Sequence, residues 1–177
     1  MRRHILRYGV IAGLIAGGAL LVTGLLFDGQ PPPDYGMALG FATMLIALSA
    51  VFVGIKRHRD IDRGGVIRFW PAFGMGLAIS LIAAVFYVLA WEAVLAVVDV
   101  DFAETFANAM IERQKAKGLD GAALAKLTTD MQAFKAQYAN PLYRLPMTFV
   151  EIFPVGVLVS LVSAALLRNS RFMPARA

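Results

Sequence analysis

The chain has 177 residues, 59% hydrophobic and only 16% charged, with a mean hydropathy of +0.66. It contains no cysteine, which excludes disulfides, thiolate metal sites and cysteine nucleophiles. A net charge of +5 and a pI near 9.8 would suit a nucleic-acid binder, but the placement of the charges, described below, points to a membrane instead.

Four apolar runs organise the sequence, at 8–27, 37–55, 71–98 and 145–167. Each is long enough to cross a hydrocarbon core about 30 Å thick. They predict one membrane domain, 1–177, of the all-α class: an integral membrane four-helix bundle. The first run follows Arg2, Arg3 and Arg7. It is longer than the apolar region of a signal peptide, about 7–15 residues, and no small-x-small cleavage site follows it, so it is expected to be a retained span. The Arg2-Arg3 pair resembles a twin-arginine export signal, but flanking charge accounts for it equally well. Gly9, Gly13 and Gly17 recur at four-residue spacing, with Ala12 and Ala16 alongside. Such spacing makes a flat face that a second helix backbone can approach closely. Gly36 and Gly40 open the second run, and Gly156, Ser160 and Ala164 repeat the register in the fourth. These faces predict tight packing within the bundle; the alternative is pairing of the first span with that of a second copy.

The stretch Asp28-Gly29-Gln30-Pro31-Pro32-Pro33-Asp34 predicts a rigid turn after the first span, since three prolines cannot continue a helix. After the second run, the connector 56–68 carries five basic residues and a chain reversal at Gly64-Gly65. His4 and His58 both lie on this basic side. Neither has a second ligand at metal-site spacing, so both are expected to be interfacial, with no metal and no cofactor.

Residues 99–143 form the one sizeable extramembrane segment. Phe102, Phe106 and Met110 recur every four residues, Gly118 supplies a stop, and Asp120 can cap a second helix bearing Leu124, Leu127, Met131, Phe134 and Tyr138. Asn140-Pro141 ends that helix. This predicts an extracytoplasmic helical hairpin between the third and fourth spans. Its apolar stripe, with Phe102, Phe106, Met110, Leu127 and Phe134 as the candidate interaction face, can close on itself, lie on the membrane or receive a partner.

Eleven of the 17 basic residues flank the spans on the side of the two termini and the 56–68 connector. On the other side, eight acids outnumber six bases. This positive-inside pattern predicts a multi-pass protein with both termini in the cytoplasm. Anionic lipid headgroups suffice as the partner of the basic side, so nucleic acid is not needed.

Only Glu92 and Glu151 are ionisable residues well inside the runs. Each lies about six residues from the outer end of its span, which predicts matching depths about 9 Å below the surface. A carboxylate there must be paired, hydrated or protonated. Pro154 cannot bond the carbonyl of Val150, and a kink beside an acid is a feature of transporter ion sites. Thr23, Thr43, Tyr87 and Thr148 fall in the same half of the bilayer and would complete a polar layer. Arg144, two turns outward from Glu151, is the candidate counter-ion on a purely structural interpretation.

The run Gly54-Ile55-Lys56-Arg57-His58-Arg59-Asp60, followed by Gly64-Gly65, Phe69, Phe73 and Gly76, resembles the bacterial domain of unknown function 4199 family. Asn140-Pro141, Thr148-Phe149, Glu151-Ile152 and Pro154-Val155-Gly156 resemble that family's last span. His58 departs from the pattern, at a position where an aromatic, usually tyrosine, is expected. The resemblance covers nearly the whole chain. It implies a four-span inner-membrane protein with a helical insertion before the last span, and it implies no activity.

No phosphate-binding glycine loop, zinc-protease motif or nucleophile elbow is present, and a non-enzymatic role is expected. The first expectation is a structural or interaction component of the bacterial envelope, partnered by lipid and by a second copy or an envelope protein at the hairpin. The alternative is a small proton- or cation-coupled transporter subunit using Glu92 and Glu151.

Overall fold

A computed structural model describes residues 1–27, 36–98 and 101–174, the side chain of Met37 excepted. The proline turn expected at 28–34, and Asp99 at the start of the hairpin segment, lie outside the described residues. The described residues fold into helices, without strands: α1 (Arg2–Leu26), α2 (Gly36–Arg57), α3 (Phe69–Val97), α4 (Phe102–Ala116), α5 (Gly121–Tyr138) and α6 (Pro141–Leu167). Four helices, α1, α2, α3 and α6, are long and apolar enough to cross a membrane. They form a four-helix bundle in which α1 and α6 each pack against both α2 and α3. Leu48, Val51, Ile55, Met75, Ile79 and Ile152 fill its core. Leu14, Leu45, Ile46, Leu81, Leu89, Val150 and Leu158 face outward, an apolar surface suited to lipid rather than water.

Small residues set the helix spacing. A Cβ added at Gly9, Gly13 or Gly24 would fall 2.6–2.8 Å from side-chain atoms of Ile82, Phe86 or Val94, and one at Gly17 would fall 3.0 Å from the Phe86 carbonyl oxygen. The glycine face of α1 is therefore occupied by α3 of the same chain. The α3–α6 crossing is reciprocal. A Cβ at Gly156 would lie 2.6 Å from that of Ser80, and a Cβ at Gly76 would lie 2.7 Å from that of Ser160. At this contact the Ser80 hydroxyl lies 3.2 Å from the Gly156 carbonyl oxygen and 3.3 Å from the Ser160 hydroxyl. The Ser160 hydroxyl also donates to the Gly156 carbonyl at 2.6 Å, so the buried polar atoms are satisfied where the backbones approach. Gly40 is a correction: nothing lies within 4 Å of a Cβ added there, so it packs against no helix of this chain. Gly36 is half-buried at the first position of α2.

The helix ends depart from the hydropathy edges because capping and core register, not apolar content, decide them. α1 starts at Arg2, and α2 runs on through a π-helical turn, His58–Asp62, before reversing at Gly64 and Gly65, whose φ values are +60° and +86°. α6 starts at Pro141 rather than 145. The Asn140 side chain accepts from the Leu142 N–H at 3.0 Å, and Pro141 occupies the first turn. The Asn-Pro pair that closes α5 is thus the cap of α6, with no linker between them.

Helices α4 and α5 form the expected helical hairpin between the third and fourth apolar helices. Asp101 caps α4 by accepting from the Glu104 N–H at 3.0 Å, and Gly118 (φ +88°) ends it, with the Leu119 N–H donating to the Gln114 carbonyl at 3.0 Å.

Candidate functional site

Glu92 lies five residues before the end of α3, and Arg144 is the fourth residue of α6. Because α6 begins at Asn140-Pro141, Arg144 comes level with Glu92. Arg144 Nε donates to Glu92 Oε1 at 2.7 Å and Nη2 donates to Oε2 at 2.6 Å. This planar two-bond pair is the strongest arrangement available to these groups. Nη1 reaches the Tyr138 carbonyl at 3.4 Å, and the guanidinium lies 5.8 Å from the Tyr138 ring centroid. Trp91 Nε1 donates to the Tyr138 hydroxyl at 2.6 Å. The Trp91 ring meets Phe102 edge-on with centroids 4.8 Å apart. Residues of α3, α4, α5 and α6 thus converge on a single clamp at the base of the hairpin.

The hairpin stripe closes on itself above this clamp. Phe102, Phe106, Phe134 and Tyr138 form a chain of ring contacts with centroids 5.2–5.8 Å apart. Met110 and Leu127 are half-buried with them. Of the three alternatives for this stripe, the geometry is that of closure on itself: aromatic rings gain more from one another than from water. Lys135 on α5 bonds Glu104 on α4 at 2.7 Å, and this holds its ammonium above the ordinary lysine range. A cleft of about 530 Å³ opens beside the clamp, lined by Leu95, Asp101, Lys135, Tyr138 and Arg144.

Burial pushes the Tyr138 hydroxyl up to about 12. The folded state therefore favours its neutral form. That stabilisation is complete below the ordinary tyrosine value near 10 and is lost as pH rises from there toward 12. Alkaline absorbance titration should show a tyrosine step near 12, and Tyr138→Phe should remove that step. An unchanged titration after the substitution would count against the burial of this ring.

The remaining candidate residues do not join the clamp. Glu151 accepts a bond from the buried Tyr87 hydroxyl at 3.2 Å. It lies seven residues beyond Arg144, about 10 Å along the helix axis, so the two carboxylates do not share a level, and Arg144 serves Glu92. Thr23, Thr43 and Thr148 donate to the Ala19, Leu39 and Arg144 carbonyls of their own helices. No polar layer is assembled from them. Pro154 is exposed inside α6, and Pro146 is a second internal proline.

At the opposite end, Arg59 is fully buried. It donates to Asp60 at 2.6 Å and to the Phe172 and Met173 carbonyls at 2.9 and 2.6 Å, while Lys56 also bonds Asp60. Arg59 thus holds the chain after α6 against the end of α2. A signal for it exists in the sequence: Leu48, Val51, Ile55 and Arg59 repeat at helical spacing, so the buried face of α2 continues past the apolar run. Arg59→Met should free this segment, costing about 2–4 kcal/mol and exposing it to carboxypeptidase in detergent. Unchanged digestion would contradict the latch. His4 and His58 also meet at this end, on a common partner, Asp62. The expectation that neither had a second ligand is corrected: His58 and Asp62 are four residues apart on one helical face.

No curated protein matches the chain, and no solved structure does. The family described as "Protein of unknown function (DUF4199)" matches residues 7–169. That span contains all four apolar helices except the first residues of α1, as well as the clamp and the Arg59 run. The chain belongs to this DUF4199 family.

Proposed function

We propose that the chain is a structural or interaction component of the bacterial envelope, an assembly subunit or sensor whose four inner-membrane spans hold a helical hairpin at the periplasmic face. The Glu92–Arg144–Tyr138–Trp91 clamp is the observation that carries this proposal. A hairpin fixed at its base by an ion pair and an indole bond presents its outer surface in one orientation, as a docking element must. The excess of basic residues at the end with the termini supports cytoplasmic termini. The lipid bilayer is the partner of the apolar surface. No enzymatic step, cofactor or nucleic acid enters the proposal.

A photocrosslinking residue in place of Asn108 or Gln137, both exposed on the hairpin, tests it in living cells. A discrete protein adduct is expected, lost on Arg144→Ala at equal protein level. Lipid or intrachain adducts alone would contradict the proposal. The Tyr87–Glu151 bond, inside a span, favours a second reading, proton- or cation-coupled transport. Arg144 withdraws Glu92 from such a site, leaving Glu151 to carry it. Proton flux in proteoliposomes that Glu151→Gln abolishes would support transport; flux equal to that of empty liposomes would count against it.

A further inference from the structure

We propose that His4, His58 and Asp62 form a binding site for a divalent transition metal ion at the end of the bundle opposite the hairpin. His4 Nε2 lies 3.1 Å and His58 Nδ1 2.7 Å from the same Asp62 oxygen, Oδ2. All three ligand atoms lie within 4.8 Å of one another. Metal–nitrogen and metal–oxygen bonds of about 2.0–2.2 Å in a tetrahedral site place neighbouring ligand atoms about 3.3–3.6 Å apart. The two spacings to Asp62 Oδ2 are shorter, the lengths of hydrogen bonds, and an ion entering among the three groups replaces those bonds with a small outward shift of the side chains. His4, half-buried in the first turn of α1, and the exposed Asp62 are the two that can shift.

The fold builds this cluster from two distant stretches of chain. The α1–α3 and α1–α2 contacts bring the start of α1 against the end of α2. The π-helical turn His58–Asp62 then aims an imidazole and a carboxylate at the same point. Such turns break helical register at a cost and are frequent at functional sites. His58 is 4% exposed, which fixes its ring, and His4 stacks on the Tyr8 ring with centroids 6.3 Å apart. Asp62 is exposed, so water can fill the remaining coordination positions.

The donor set selects the metal class. Two imidazoles and one carboxylate favour zinc, cobalt, nickel or ferrous ions over magnesium or calcium, which prefer oxygen ligands. The nearby basic side chains do not oppose a dication as strongly as their number suggests, since Lys56 and Arg59 both bond Asp60. The Met1 amine, 3.8 Å from Asp62 Oδ2, is the group a bound cation would displace.

The test is equilibrium binding of Zn²⁺, and of Co²⁺ as a spectroscopic probe, to the full chain purified in detergent with a histidine-free tag. About one ion per chain is expected, with a Co²⁺ absorption spectrum diagnostic of nitrogen–oxygen ligation. His4→Ala, His58→Ala and Asp62→Asn should each weaken binding by more than about tenfold. Asp62→Asn is exposed and nearly isosteric, so it decides the matter even if loss of the buried His58 ring unfolds the bundle. Magnesium at the same concentration should not compete. Zinc binding that is absent, or that persists unchanged in Asp62→Asn, would overturn the proposal and leave the three side chains as a hydrogen-bonded tie between α1 and α2.

Discussion

Replacing Arg144 with alanine should destabilise the protein in mild detergent by about 2–3 kcal/mol and release the hairpin from the bundle. The loss lies below the ~3–5 kcal/mol of a fully buried pair, because the side chains of Arg144 and Glu92 remain 17% and 29% exposed. Most of it comes from leaving the part-buried Glu92 carboxylate without a partner. Glu92→Gln should cost less, since a neutral amide tolerates the site better. Combined with Arg144→Met, it should recover part of the single-mutant loss, because removing both charges removes the desolvation problem. Arg144→Lys should not rescue, as an ammonium cannot reproduce two parallel bonds to one carboxylate. Protease cleavage at the Gly118 turn, followed alongside thermal unfolding, reads both effects. A variant as stable and as protease-resistant as the parent would show that the clamp is ornamental.

The second large effect is expected at the α3–α6 crossing. Gly156→Leu should cost about 3 kcal/mol or more, the upper end for overpacking. Its Cβ alone would sit 2.6 Å from that of Ser80, and the helices can accept it only by moving apart. Separation would also break the Ser80 bond to the Gly156 carbonyl. Gly156→Ala should cost about 1–2 kcal/mol for the same steric reason. Gly40→Ala provides the contrast. Open space surrounds that position, so alanine should be neutral or stabilising by about 0.5–1 kcal/mol through helix propensity. Equal losses at Gly156 and Gly40 in chemical unfolding would contradict the seam assignment.

The four spans, the hairpin and the α1 glycine face were legible in the sequence because periodicity and run length record burial directly. The helix ends were less so. Apolar content marks where a helix enters lipid, whereas Asn140 capping of α6 and the core register of α2 decide where it stops. Those few residues matter most for the candidate site. Four extra residues at the start of α6 bring Arg144 level with Glu92 and carry Glu151 a further two turns down, which separates two acids that hydropathy placed side by side. Likewise, extending α2 through Asp62 turns Arg59 and His58 from loop charges into buried groups. Long-range partners such as Trp91–Tyr138 or Gly76–Ser160 leave no local pattern, since each half is an ordinary member of its own helix.

A hairpin held in one orientation on the bundle by the clamp at its base is open to direct measurement. Because the chain contains no cysteine, spin labels can be attached at Ala125→Cys on α5 and Leu89→Cys on α3, both exposed, and their separation measured by pulsed electron resonance in nanodiscs. A single narrow distance distribution is predicted, broadening when Arg144→Ala is added. A broad distribution in the clamped protein, or one that Arg144→Ala leaves unchanged, would contradict it.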